Sequence, residues 1–89
     1  MGKTTPTYRD TMHDALEPYD TQYRRALRRD RQAAYDALRD DLEELTMAMG
    51  AANAPDVWTP IHLSLAVVLA ERLDELEARV TALEAALDS

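Results

Sequence analysis

Cysteine and phenylalanine are absent from this 89-residue chain, glycine occurs twice and lysine once. Without a thiol there is no disulfide, no thiolate metal site and no cysteine nucleophile. Two glycines are too few for a phosphate-cradling loop. The longest apolar run, IHLSLAVVLA (61–70), is half the length of about 20 residues that a bilayer requires, so no membrane contact is expected. The polar start MGKTTP does not read as a secretory signal, and Pro6 stands where a myristoylation pattern needs Ser or Thr. A cytoplasmic protein is the expectation. His13 and His62 are the only histidines, in neither HxxxH nor ExxH spacing, and Ser64 and Ser89 have no base nearby in sequence. No metal, no cofactor and no enzymatic activity are therefore expected.

What the chain does have is charge, unevenly placed. The formal net charge is −7. Residues 1–39 hold eight basic and six acidic side chains, whereas residues 40–89 hold two basic and eleven acidic. Nine of the ten basic residues are arginine, and aspartate outnumbers glutamate ten to seven. Many short carboxylates keep a surface hydrated and self-repelling, which suits a salt-adapted host.

Hydrophobic spacing is helical throughout, with no β-branched alternation, so the fold class is all-α in one domain, 1–89. Residues 1–5 read as a flexible arm and 6–17 as a short first helix. Two starts compete for that helix: Thr5 before Pro6, and a Thr7-x-x-Asp10 capping box. Tyr8, Met12, Ala15 and Tyr19 make one stripe, and Pro18 is expected to stop the helix. A long second helix, 19–49, carries Tyr23, Leu27, Ala34, Leu38, Leu42, Leu45 and Met49 on one face, and Gly50 supplies its stop. Residues 50–58 are a loop. In VWTPIHL, Thr59 reads as N-cap, Pro60 as first helical residue, and Trp58 with Leu63 as a hydrophobic staple, opening a third helix, 59–87.

That third helix carries a heptad. Leu69, Leu73, Leu76, Val80, Leu83 and Leu87 alternate spacings of four and three, with Arg72 and Arg79 at g and Glu77 and Glu84 at e. In a parallel homodimer these give the pairs Arg72–Glu77′ and Arg79–Glu84′, whereas antiparallel self-pairing sets like charges together. The same stripe also suits a helix packed only on its own second helix. Upstream, Ile61, Leu63, Leu65, Ala66, Val67 and Val68 point all round the axis, and a helix apolar on every side must be covered on every side. The expected architecture is a short N-terminal helix plus a long antiparallel hairpin, dimerising into a four-helix-bundle, coiled-coil core through Leu65, Leu69, Leu73, Leu76, Val80, Leu83 and Leu87.

YRRALRRDRQAAY (23–35) packs five arginines into eight residues. Folding the second and third helices together lays this segment beside Asp74, Glu75, Glu77, Glu84 and Asp88 and neutralises it internally. The alternatives are an acidic protein partner or a nucleic-acid backbone, with Arg24, Arg25, Arg28 and Arg29 as the contacts. Against nucleic acid stand the acidic remainder of the chain and the absence of a recognised binding module.

MGKTTPTYRD, then YRRALRR and a Leu-rich C-terminal helix, resemble small helical proteins of haloarchaea; Lys3 and Thr5 depart from a Gly-Arg-Thr-Asn-Pro-Thr opening. The resemblance implies a salt-adapted, cytoplasmic protein and carries over no activity and no functional residue. Together these features predict a non-enzymatic, self-associating helical adaptor, with a small nucleic-acid-associated factor as the alternative.

Overall fold

The computed structural model describes residues 7–89. The 1–5 arm and the Thr5–Pro6 start lie outside the described residues. Helix α1 (Tyr8–Pro18) opens on the Thr7–Asp10 capping box: the Thr7 hydroxyl accepts the Asp10 N–H at 3.2 Å, and the Asp10 carboxylate accepts the Thr7 N–H at 3.3 Å. Two otherwise unpaired donors are thereby satisfied, an arrangement worth about 1 kcal/mol.

Pro18 does not stop this helix. The chain continues through a π-helical turn, Tyr19–Tyr23, in which the Arg24 N–H reaches the Tyr19 carbonyl five residues back, and then into a short α2 (Arg24–Ala26). The N–H that Pro18 lacks would have met the Asp14 carbonyl, on a turn exposed to solvent.

The reversal comes nine residues later, at a place with neither Gly nor Pro. Leu27 (φ −79°, ψ 150°) and Arg28 (φ −64°, ψ 159°) are both extended. The Gln32 side chain donates to the carbonyls of Arg24 (3.0 Å) and Leu27 (3.1 Å), closing α2 from the next helix. Helices α3 (Arg29–Glu44) and α4 (Thr46–Ala51) then run back along α1. Side-chain pairs 24 with 36, 20 with 39, 13 with 43 and 9 with 46 step in opposite directions along the two arms. An antiparallel hairpin thus joins 8–26 to 29–51, the expected continuous helix 19–49 is broken at its tip, and the third helix meets the second in the shared Leu42–Ile61 core and at Arg72–Asp41.

Gly50 lies within α4, where a Cβ would stand 3.3 Å from that of Tyr8; its smallness serves a close approach of α4 to α1. The turn is made after Ala51, with Asn53 in the left-handed region (φ 50°). The Tyr8 hydroxyl donates to the Val57 carbonyl at 2.8 Å and fastens the loop to α1.

Helix α5 (Trp58–Asp88) is capped by Asp56, not by Thr59: the Asp56 carboxylate accepts the Thr59 N–H at 2.7 Å and the Thr59 hydroxyl as well. Leu63 is 67% exposed, so the Trp58–Leu63 staple does not form. Only the first half of α5 is packed. Ile61, Ser64 and Val68 are buried, and Ile61 joins Met12, Leu16, Leu42 and Met49 in one core, with Tyr8, Leu45, Val57 and Leu65 against it. From Leu69 onward every residue is exposed. The arm accounts for a radius of gyration of 17.4 Å and a longest dimension of 69 Å, where a compact chain of this length has a radius near 12 Å.

Candidate functional site

A 31-residue helix is about 46 Å long, and α5 uses less than half of that to hold itself to the body. Its last link is an ion pair, Arg72 to Asp41 at 2.6 Å. Around and beyond it, Leu69, Leu73, Leu76, Val80, Leu83 and Leu87 stand between 48 and 85% exposed, in one strip that no core side chain among the described residues covers. At 100° per residue the strip lies roughly 100° round the helix from the buried Ile61–Val68 face. Own-core packing and the heptad therefore occupy different sides of α5, so burial of the one does not satisfy the other. Leu65 falls between the two: it packs against the core and is not part of the open strip. Arg72, assigned on spacing to an inter-chain pair, is engaged by Asp41 of its own chain; Arg79 makes no ion pair among the described residues.

Followed back toward the body, the strip runs past Leu65 and His62 to Trp58 and into a groove of about 370 Å3. Tyr19, Tyr23, Tyr35 and Trp58 line it, with Tyr19–Tyr23 (6.0 Å) and Tyr19–Trp58 (5.8 Å) edge to face and Tyr23–Tyr35 (6.1 Å) tilted. The groove's aromatic wall is not evident from spacing, because the π-helical turn and the reversal at Leu27 decide which tyrosines meet. The i, i+4 pair Tyr19/Tyr23 was the one available signal.

Behind the groove a polar seam holds the hairpin together. Asp20 accepts hydrogen bonds from the Tyr35 hydroxyl and from the Arg39 guanidinium, at 3.0 Å for the latter. Arg39 also donates to Glu43 at 2.8 Å, and Glu43 meets His13 at 2.7 Å and Arg9 at 3.4 Å. Burial alone pushes the Glu43 carboxyl up, but the hydrogen bonds from Arg39 and His13 outweigh it and leave its pKa below the usual carboxylate value. A hydrogen bond from Arg24 lowers Asp36 in the same way, and the Thr59 N–H lowers Asp56. Burial, then the hydrogen bond to the Asp20 carboxylate, raises the Tyr35 phenol. Each group is occupied by its partners, and none is aimed into an open cavity as a free acid or base. Among the described residues there is no group of three or more His, Asp or Glu placed to hold a metal ion.

These shifts fix the pH dependence of folding. A carboxylate held below its unfolded pKa contributes stability that is complete above about pH 4.5 and is lost as pH falls through the folded value. A phenol raised above its unfolded value contributes stability that is complete below about pH 10 and is lost as pH rises past it. The urea midpoint should therefore be flat between about pH 6 and 9 and decline on both sides. Glu43→Gln should shrink the acid limb and Tyr35→Phe the alkaline one.

The arginine cluster sits at the hairpin tip and is not neutralised by the acidic half of the chain. Arg24 is the exception, bound through two hydrogen bonds of 2.8 Å to Asp36 of α3. Arg25, Arg28, Arg29 and Arg31 are exposed and make no ion pair among the described residues; neither do Asp74, Glu75, Glu77, Glu84 and Asp88. The internal pairing of these stretches is thus corrected: the tip folds back on α3, and α5 departs before its acidic half begins.

Among known proteins, the family model described as Domain of unknown function (DUF8156) matches residues 1–89. No curated protein and no solved structure matches the chain. No helix among the described residues is long and apolar enough to cross a membrane.

Proposed function

Because the chain belongs to the DUF8156 family along residues 1–89, and that family's description gives no activity, we propose its function from geometry: it is a non-enzymatic, self-associating helical module whose α5 arm pairs with the arm of a second copy. The observation that carries this is the open strip of Leu69, Leu73, Leu76, Val80, Leu83 and Leu87, side chains in coiled-coil spacing that stay exposed among the described residues. A leucine gains roughly 1.5–3 kcal/mol when it passes from water to full burial, so six aligned apolar side chains from each copy supply the main favourable contribution to docking two helices. The partner is a second copy because the seam is self-complementary: Arg79 at g faces Glu84′ at e in the parallel register. An isolated helix of this length is marginal in water, so pairing also holds the arm in shape.

In this reading two small bodies sit side by side at one end of a short parallel coiled coil, each presenting its aromatic groove and basic tip. The groove, contiguous with the seam, suits an adaptor role in which dimerisation and partner capture are coupled. The acidic, lysine-poor surface fits work in a salt-rich cytoplasm, since screening there relieves the repulsion between two copies of net charge −7.

Sedimentation equilibrium of the full chain tests the proposal. A single chain is 10.0 kDa, and a particle of twice that mass is expected, favoured by concentration and by salt. A particle of 10.0 kDa at every concentration and salt would overturn it.

A further inference from the structure

Two oppositely charged surfaces of this chain are left without partners, at two different places. At the hairpin tip, Arg25, Arg28, Arg29 and Arg31 are exposed around the extended Leu27–Arg28 turn, with Asp30 the one acidic residue among them. On α5, Asp74, Glu77, Glu84 and Asp88 recur at spacings of three, seven and four, which places all four on one side of the helix. This acidic stripe is some 21 Å long, flanks the leucine strip, and lies on the opposite side of it from Arg79. Neither surface makes an ion pair among the described residues.

We propose that the basic tip of one copy docks on the acidic α5 stripe of another, a head-to-tail contact distinct from the leucine seam. The occupant follows from the charges. Four guanidinium groups are offered to a stripe whose Asp74, Glu77 and Asp88 take no part in the Arg79–Glu84′ seam pair, and guanidinium with carboxylate is the pairing in which bidentate hydrogen bonds are strongest. Every copy supplies one tip and one stripe, so the complementary surface is always present at matching concentration. A nucleic-acid duplex, the other polyanion that could meet the tip, is repelled by the remaining surface, since residues 40–89 hold eleven acidic and two basic side chains.

The contact is heterologous: the tip of one copy meets a different surface of the next and leaves that copy's own tip open. Such contacts close into rings or run on as filaments. The docking stands by itself; only its consequence, the linking of seam dimers into larger particles, rests on the proposed self-association. The two contacts respond to salt in opposite directions. Screening weakens tip–stripe pairing and relieves the net repulsion that opposes the seam.

Sedimentation velocity of the full chain in low salt and in about 1 M salt, where the Debye length is about 3 Å, tests this. Species larger than a dimer are expected in low salt and dimers alone in high salt. Arg28→Glu/Arg29→Glu and Asp74→Arg/Asp88→Arg, neither of which alters a seam residue, should each lose the larger species when alone. An equimolar mixture of the two should regain them, because both complementary pairings are then available. Absence of larger species in low salt, their persistence in either variant alone, or failure of the mixture to restore them would overturn the docking. So would tight binding of a fluorescent DNA duplex that is lost in Arg28→Glu/Arg29→Glu, if the mixture does not assemble. Monomers in high salt with low-salt rescue intact would uphold the docking and sink the seam.

Discussion

Replacing Leu76 and Leu83 with aspartate is expected to yield a folded monomer in place of the dimer. The two parts of that outcome have separate grounds. Leu76 and Leu83 are 57 and 66% exposed in the single chain and touch none of the core side chains. Their replacement therefore removes no packing from Met12, Leu16, Leu42, Met49 and Ile61. In the proposed seam they occupy successive d positions, where a carboxylate must be desolvated against an apolar partner, at a cost of several kcal/mol per charge. Two such sites in each chain shift association by many powers of ten. Sedimentation should report 10.0 kDa, while near-ultraviolet circular dichroism of the Trp58–Tyr19 region stays native. Helical signal should fall modestly, because the freed arm frays as an unsupported helix of this length does. A variant that keeps the dimer mass would end the seam proposal. One that unfolds outright would show that the arm supports the body, contrary to its lack of contacts.

What the sequence made legible follows the range of the interactions involved. Local signals carried through: the all-helical class and the Thr7–Asp10 capping box are each specified within a few residues. Non-local decisions did not. Pro18 looked like a terminator because an ordinary helix cannot give up its i→i−4 bond without a compensating adjustment, and the π-helical turn that supplies one has no residue signature. The true reversal, at Leu27–Arg28, has no Gly or Pro; it is imposed by Gln32 reaching back to two carbonyls and by the Arg24–Asp36 pair across the turn. Once the reversal moved, so did the destination of the arginines. Charge asymmetry between the halves indicated that the basic segment needs acidic company, but did not specify that Arg24 finds it in Asp36 of the next helix. The aromatic groove was hidden for the same reason, since its tyrosines come from both sides of that turn.

The core is small enough that a single truncation should dominate the stability of the chain. Ile61→Ala removes the side chain at which α5 meets α1, α3 and α4, and Ile61 is only 2% exposed. Truncations of this kind cost about 2–5 kcal/mol, more where the surroundings cannot collapse into the space. Here the lining includes Met12 and Met49, whose flexible side chains can follow the retreat, and also Leu16 and Leu42, fixed by the hairpin register. A domain of this length holds about 5–15 kcal/mol in all, and a core of six buried hydrophobic side chains among the described residues puts this one at the low end. The thermal midpoint should drop by about 10–30 °C. The same truncation two residues on, at Leu63, which is 67% exposed, should move it by no more than a degree or two. Thermal melts of the two variants in the Leu76→Asp/Leu83→Asp background keep association out of the comparison. Equal losses at Ile61 and Leu63 would mean that α5 is not seated on the hairpin by its Ile61–Val68 face. The seam and the tip–stripe contact would then lose their common premise: the outer half of α5 is free to meet another copy because the inner half alone holds it in place.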